Sequence, residues 1–170
     1  MRKLVFASLI VLFTAAAVPR SAGLESTTEA NKVIVKRAFA AMNAGDLKSL
    51  NELFDPDGPW HLPSGKTVPQ GGPFSELAKS CPMCAALERR KIVIDVMVAE
   101  GDLVSARSTW SGLYTGKIRG VSFRQKPVTL VYFNVYRVSG GRIRENWAEY
   151  DRMSMAEQLG FQVTPPSNPE

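Results

Sequence analysis

The chain has 170 residues, 45% of them hydrophobic and 22% charged, with a formal net charge of +5. That length suffices for one domain with a core of its own and leaves little room for a second. The mild positive charge favours solubility without selecting a partner, and it excludes the strongly basic character expected of a nucleic-acid-binding domain.

The first residues read as a targeting segment. Arg2 and Lys3 precede an apolar stretch, Leu4 to Val18, that is short for a membrane span. Ala15, Ala16 and Ala17 supply small residues for cleavage, so residues 1–17 are expected to be a cleaved secretory signal peptide, with an uncleaved anchor as the alternative. No cysteine follows the apolar stretch, which argues against a lipid anchor. Loss of Arg2 and Lys3 from the 21 basic residues leaves 19 against 16 acidic ones, a net charge of +3. Export to periplasm or medium is expected, with no stable membrane insertion afterwards.

Ser26 and Glu29 have capping-box spacing. Behind them Val35, Ala38, Phe39 and Met42 fall at i, i+3, i+4 and i+7, predicting an amphipathic helix that ends near Gly45. Asp46 then caps a short helix carrying Leu47, Leu50, Leu53 and Phe54. Trp60-His61-Leu62 forms a short strand between Pro59 and Pro63. Pro73 to Glu88 reads as a third helical region with a kink at Pro82. Within it lie both cysteines, Cys81 and Cys84. In an exported protein such a pair usually forms a disulfide; a redox role is the alternative, with Cys81 at a helical N-terminus. Zinc is excluded, because two thiols and the sole histidine, His61, do not make four ligands.

From Ile92 the period changes to two. Ile92, Ile94, Val96 and Val98 mark a strand, and Glu100-Gly101-Asp102 a turn. A second strand, Leu103 to Tyr114, places Val104, Ala106, Ser108, Trp110 and Tyr114 on one face, with Arg107 on the other. Lys117, Arg119, Arg124 and Lys126 read as a solvated loop. An apolar strand follows from Val128 to Val138, carrying Tyr132, Phe133 and Tyr136. Ser139-Gly140-Gly141 turns it into a last strand, Arg142 to Tyr150, on which Glu145, Trp147, Glu149 and Asp151 share a face. Ser154 and Glu157 repeat the capping-box spacing before a final helix that stops at Gly160. One domain spans residues 24–163, and 164–170, with three prolines, form a flexible tail. The pattern is α+β: helices packed on the concave side of a curved antiparallel sheet, with room between them for a small molecule.

Several pieces occur in the order of a known family. They are Asn43 to Asp46, Pro63-Ser64-Gly65 with Gly71-Gly72, Val98 to Asp102 followed by Arg107, Arg137 to Ile143, then Trp147, Asp151 and Gln158-Leu159-Gly160. Over residues 28–161 this set resembles the SnoaL-like polyketide cyclase, or ester cyclase-like, branch of the NTF2-like superfamily. The resemblance implies an NTF2-like cone, no cofactor or metal, a small hydrophobic carbonyl-bearing ligand and a homodimer. It places Asp151 at the acid/base position of the cyclases. The family often carries G-T-H-x-G at the end of the second long strand, where this chain has Gly112-Leu113-Tyr114-Thr115-Gly116, so tyrosine stands in place of histidine.

Three residues are therefore candidates for chemistry. Asp151 would take a proton alpha to a carbonyl, desolvated beside Trp147 and Trp110. Tyr114, or His61 from the opposite wall, would stabilise the oxyanion. For Asp151 the alternative is a helix cap, and for His61 a solvent-facing position. Trp60, Trp110, Trp147, Phe133 and Glu149 are expected to line the pocket, with core positions as the alternative for the three tryptophans. The rival to an enzyme is a non-catalytic small-molecule-binding or dimeric interaction module.

Overall fold

The computed structural model describes residues 22–75 and 87–162. The expected signal peptide, the Cys81–Cys84 pair, the tail and most of the third helical region lie outside the described residues.

Helix α1 spans Ala22–Ala44 and so begins ahead of the Ser26 capping box. Its stripe of Val35, Ala38, Phe39 and Met42 is buried, as the 3.6-residue period requires. At its end Gly45 takes φ +67°, and the N–H groups of Gly45 and Asp46 return to the carbonyls of Met42 and Ala41. This is a Schellman stop, and glycine supplies the left-handed residue it needs. Helix α2, Leu47–Leu53, starts at once, its N-cap Asp46 accepting from the Ser49 N–H at 3.0 Å.

Six strands follow: β1 Pro59–His61, β2 Thr67–Pro69, β3 Leu87–Glu100, β4 Leu103–Ile118, β5 Val121–Ser139 and β6 Arg142–Tyr150. They form one sheet in the order β2-β1-β6-β5-β4-β3. The meander from β3 to β6 is antiparallel, as its short turns demand. Strand β1, however, runs parallel to β6, so the sheet is mixed rather than wholly antiparallel. Helix α3, Arg152–Gln158, closes the described fold. Its cap is Asp151, whose Oδ1 accepts from the Ser154 N–H at 2.9 Å, rather than Ser154 itself.

Two further expectations are corrected. Leu87 and Glu88 open β3 instead of ending a helix. The basic segment is no loop: Lys117 lies in β4, and Arg124 and Lys126 in β5. Pairing continues to Ile118 and Val121, because a two-residue turn with positive φ at Arg119 (47°) and Gly120 (87°) matches the strand twist.

The core lies between the concave sheet face and α1. Phe39 meets Trp110 edge-on at 6.4 Å and Tyr136 at 6.0 Å. A second aromatic group, Phe54, Trp60 and Phe74, ties α2 to β1, with ring centroids 5.1–6.1 Å apart.

Candidate functional site

Which face each residue occupies decides what the sheet can do. On β6 the buried residues are Ile143, Asn146 and Ala148. Pairing runs Val138 to Ile143 and Arg137 to Glu145, so Arg144 is an extra, bulged residue. Glu145, Trp147 and Glu149 do share a face, but it is the outer one.

Across the sheet this outer face is built in rows. One row runs Val98, Ser105, Val135, Trp147, His61 and Thr67. His61 stacks on Trp147 at 5.0 Å with a 9° interplanar angle, and the Arg137 guanidinium covers the same ring at 5.6 Å. His61 Nε2 meets Glu145 at 2.8 Å and Nδ1 meets Thr67 at 2.9 Å. Arg137 bonds Glu145 at 3.1 Å and Asp102 at 2.8 Å. The hydrogen bond from His61, then Arg137, holds the Glu145 carboxyl below its usual range. This network is a polar clamp around an outward tryptophan, not a cavity wall. His61, Trp147, Glu149 and Phe133 are accordingly corrected from pocket positions to outer-face positions, Phe133 being 55% exposed. Arg107 is on this face too, paired with Asp95, as its parity predicts.

The inner face carries all four tyrosines. Tyr132 pairs across the strands with Tyr150, their rings 4.7 Å apart, and Trp110 stands 4.7 Å from Tyr132 on its other side. The Arg90 guanidinium lies 6.0 Å over Trp110. Burial drives the Tyr132 and Tyr136 phenols far above the ordinary tyrosine value. Trp60 is core beneath Phe54, and Trp110 is interior; neither is among the residues that line the pocket described next. Deeper still, Asn134 donates to Asn146 at 3.2 Å.

This interior leads to an open pocket of about 750 Å³ between the far end of β4 and α3, within the size range of small-molecule sites. Its walls are Tyr114, Tyr150, Met155 and Phe161, and its rim carries Lys117, Arg119 and Arg152. Tyr114 is 1% exposed, and burial raises its phenol pKa. Burial likewise raises that of Tyr150, against the pull of Arg152. Both hydroxyls are therefore protonated donors at neutral pH. Asp151 stands between the lining residues Tyr150 and Arg152 in sequence. Its carboxylate is exposed and bonded to Ser154, so the desolvated setting beside Trp147 and Trp110 is not what the fold provides. Among the described residues no group of three His, Cys, Asp or Glu side chains is placed to hold a metal ion.

The SnoaL-like polyketide cyclase family model matches residues 32–159. The chain belongs to that family. Among solved structures it is similar to IdmH of Streptomyces antibioticus, a proposed polyketide cyclase, at 28% identity and a TM-score of 0.64, over 77% of this chain and 99% of IdmH. A proposed SnoaL-like polyketide cyclase from Jannaschia sp. CCS1 shares the fold at 18% identity and a TM-score of 0.67, over 80% of this chain and 95% of the other. AclR of Streptomyces galilaeus, a proposed hydroxylase, does so at 20% identity and 0.66, over 78% and 97%. No curated protein matches the chain. The fold of this SnoaL-like protein is thus α+β and NTF2-like, and the family is consistent with a cofactor-independent cyclase or isomerase.

Sequence reasoning missed Tyr150, Met155 and Phe161 as pocket walls, and Asn134 and Asn146 as interior polar groups. Tyr150 had a usable signal, since it precedes the capping Asp151 on the opposite parity from Trp147. Asn146 had none, because an asparagine between Glu145 and Trp147 gives no sign of burial.

Proposed function

We propose that this SnoaL-like protein is a cofactor-independent acid/base enzyme of the cyclase or isomerase type, acting on a small, largely apolar carbonyl compound. The observation that supports this reading is the pocket walled by Tyr114 and Tyr150, with the exposed carboxylate of Asp151 between the lining residues Tyr150 and Arg152 in sequence. A carbonyl oxygen directed inward would accept a hydrogen bond from the Tyr114 hydroxyl. The Asp151 carboxylate would remove the alpha proton, and the electron pair of that C–H bond would pass to the carbonyl oxygen as an enolate. The enolate carbon then attacks a second carbonyl of the same molecule, closing a ring, or takes the proton back elsewhere. The hydrogen bond to the enolate strengthens as charge develops.

The test is alpha-proton exchange in deuterated water, followed by NMR over a panel of enolisable aryl ketones and β-keto esters. Asp151→Asn keeps a side-chain oxygen for the Ser154 N–H, so the helix cap survives while the base is lost. Exchange is expected to fall about 10²–10⁴-fold with no change in melting temperature. Undiminished exchange in this variant would remove Asp151 from the chemistry. The second reading, a non-catalytic binding module, is favoured by one observation: the Asp151 carboxylate is exposed and engaged as a cap. Under it the wild type binds such ketones without exchanging them.

Two further proposals complete the reading. The chain is exported after cleavage of residues 1–17, which N-terminal sequencing of the protein from the producing cell would check. It also forms a homodimer through the outer sheet face, where Val96, Val98 and Phe133 are each more than half exposed.

A further inference from the structure

The charged residues that line the pocket are all of one sign. Lys117 and Arg119 come from the β4–β5 hairpin and Arg152 from the start of α3, and no aspartate or glutamate is among the lining residues. The hairpin is pinned in place by its aromatic side: Phe123 packs 6.1 Å from Tyr114 and 5.6 Å from Phe161. Its basic end therefore overhangs the mouth as part of the same packed unit.

Of the other arginines in the sheet, three are held by carboxylates, whereas Arg89, Arg124 and Arg142 have no ion pair among the described residues. Arg107 is paired with Asp95, Arg137 with Asp102 and Glu145, and Arg144 with Asp55. Among the described residues Lys117, Arg119 and Arg152 have no such carboxylate. The adjacent carboxylate in sequence, Asp151, turns to the Ser154 N–H instead. Three like charges around one concave surface repel one another, and the repulsion is relieved when an anion enters. Below them the surface is apolar and deformable, with Met153, Met155 and Ile118.

We propose that the pocket takes an organic acid: an apolar, ring-bearing body seated against Tyr150, Met155 and Phe161, with its carboxylate held by Lys117, Arg119 and Arg152 at the rim. This rests on the pocket reading above and adds the ligand's charge to it. A free acid, rather than a neutral ester or ketone, is then the preferred ligand, and the acid group fixes which end of the molecule faces the tyrosines.

The experiment uses two fluorescent probes of one ring skeleton, anilinonaphthalene sulfonate and its neutral counterpart phenylnaphthylamine, titrated into the full chain. At low salt the sulfonate is expected to bind at least about tenfold more tightly, and the advantage should shrink as salt rises. The triple variant Lys117→Gln, Arg119→Asn, Arg152→Gln should lose that advantage while binding the neutral probe as before; asparagine is chosen for the left-handed backbone at position 119. Ala156→Trp, which fills the pocket, should abolish both. Equal affinity for the two probes in the wild type, or a sulfonate preference that survives the triple variant, overturns the anion assignment and leaves the pocket standing. Failure of both probes to bind, or indifference of both to Ala156→Trp, overturns the pocket itself.

Discussion

Asn134 and Asn146 allow the interior to be tested by counting unpaired atoms. They are 4% and 0% exposed. Asn134 Nδ2 donates to Asn146 Oδ1 at 3.2 Å and to the Trp147 carbonyl at 3.4 Å. Asn134 Oδ1 and Asn146 Nδ2 are buried with no partner. Leucine keeps the branched outline of asparagine and removes its polar atoms. In Asn134→Leu one orphan disappears but Asn146 Oδ1 becomes another, so only the bond is lost, at a cost of about 1 kcal/mol. In Asn146→Leu one orphan remains and Asn134 still reaches the Trp147 carbonyl, so loss and gain roughly cancel. In the double variant no orphan is left. Each buried orphan costs about 1–3 kcal/mol, so the double variant is expected to be about 1–4 kcal/mol more stable than the wild type. Urea unfolding of the four proteins gives the cycle, with the slope held constant as the check on a common denatured state. Strictly additive effects, or a double variant less stable than both singles, would refute this account of the interior. If the pair also serves a ligand, the stabilised double variant will bind the probes more weakly.

Acid should unfold the protein partly through two clamped carboxylates. Arg144 and the Asp57 N–H hold Asp55 below its ordinary 3.8, and His61 with Arg137 hold Glu145 below 4.5. Because the unfolded chain takes up these protons first, the stabilisation is complete above about pH 5 and is lost as pH falls through the depressed folded values; Asp55→Asn should flatten a urea-midpoint profile in that range. Gly58→Ala would set a Cβ 2.6 Å from the Arg144 carbonyl oxygen and 3.1 Å from that of Asp55. Backbone cannot yield as a side chain can, so a loss of about 1–3 kcal/mol is expected in the same assay. Phe133→Lys should leave the melting temperature within about 2 °C of wild type, since surface changes seldom exceed 0.5 kcal/mol, yet convert a dimer to a monomer in sedimentation equilibrium; an unchanged mass would exclude this face as the interface.

What the sequence made legible was local. The α1 stripe, the Asp46 cap, the period of β3 to β6 and the Gly140-Gly141 turn each depend on neighbours in the chain. The parallel pairing of β1 with β6 does not, since Trp60 and His61 meet Asn146 and Trp147 across more than eighty residues. Face assignment failed where composition misleads. On β6 the inner set is Asn146, Ala148 and Tyr150, while the outer set holds the tryptophan, so hydrophobicity points the wrong way. Trp147 tolerates its position because His61 and Arg137 cover it. On β5 both faces are apolar, Val131, Phe133 and Val135 outside and Tyr132 and Tyr136 inside, and alternation alone cannot choose between them. His61 follows from Trp60: once Trp60 turns inward to Phe54 and Phe74, its neighbour must face out.

The tyrosine that replaces the family's histidine sets the direction of any chemistry. Histidine at that position can serve as base or donor near neutral pH; the buried Tyr114 phenol, raised above its ordinary 10, serves as donor alone. The base must then come from elsewhere, and under the proposed function it is Asp151, which lies in sequence between the lining residues Tyr150 and Arg152. Donor inside and base at the rim require the carbonyl oxygen to point inward and the acidic C–H outward, the orientation that rim cations would impose on a ligand carrying an acid group at its outer end. A pH profile checks the division of labour. Because burial raises both wall phenols above the ordinary tyrosine value, their loss of the proton can bring no fall in rate across the neutral and mildly alkaline range. Exchange activity should hold through that range. Tyr114→Phe should lower the rate about 10²–10³-fold, the scale of losing one oxyanion donor, without moving the acid limb. An alkaline limb near pH 7 that persists in Tyr114→Phe would assign the titrating group to another residue and dissolve the Tyr114–Asp151 pairing.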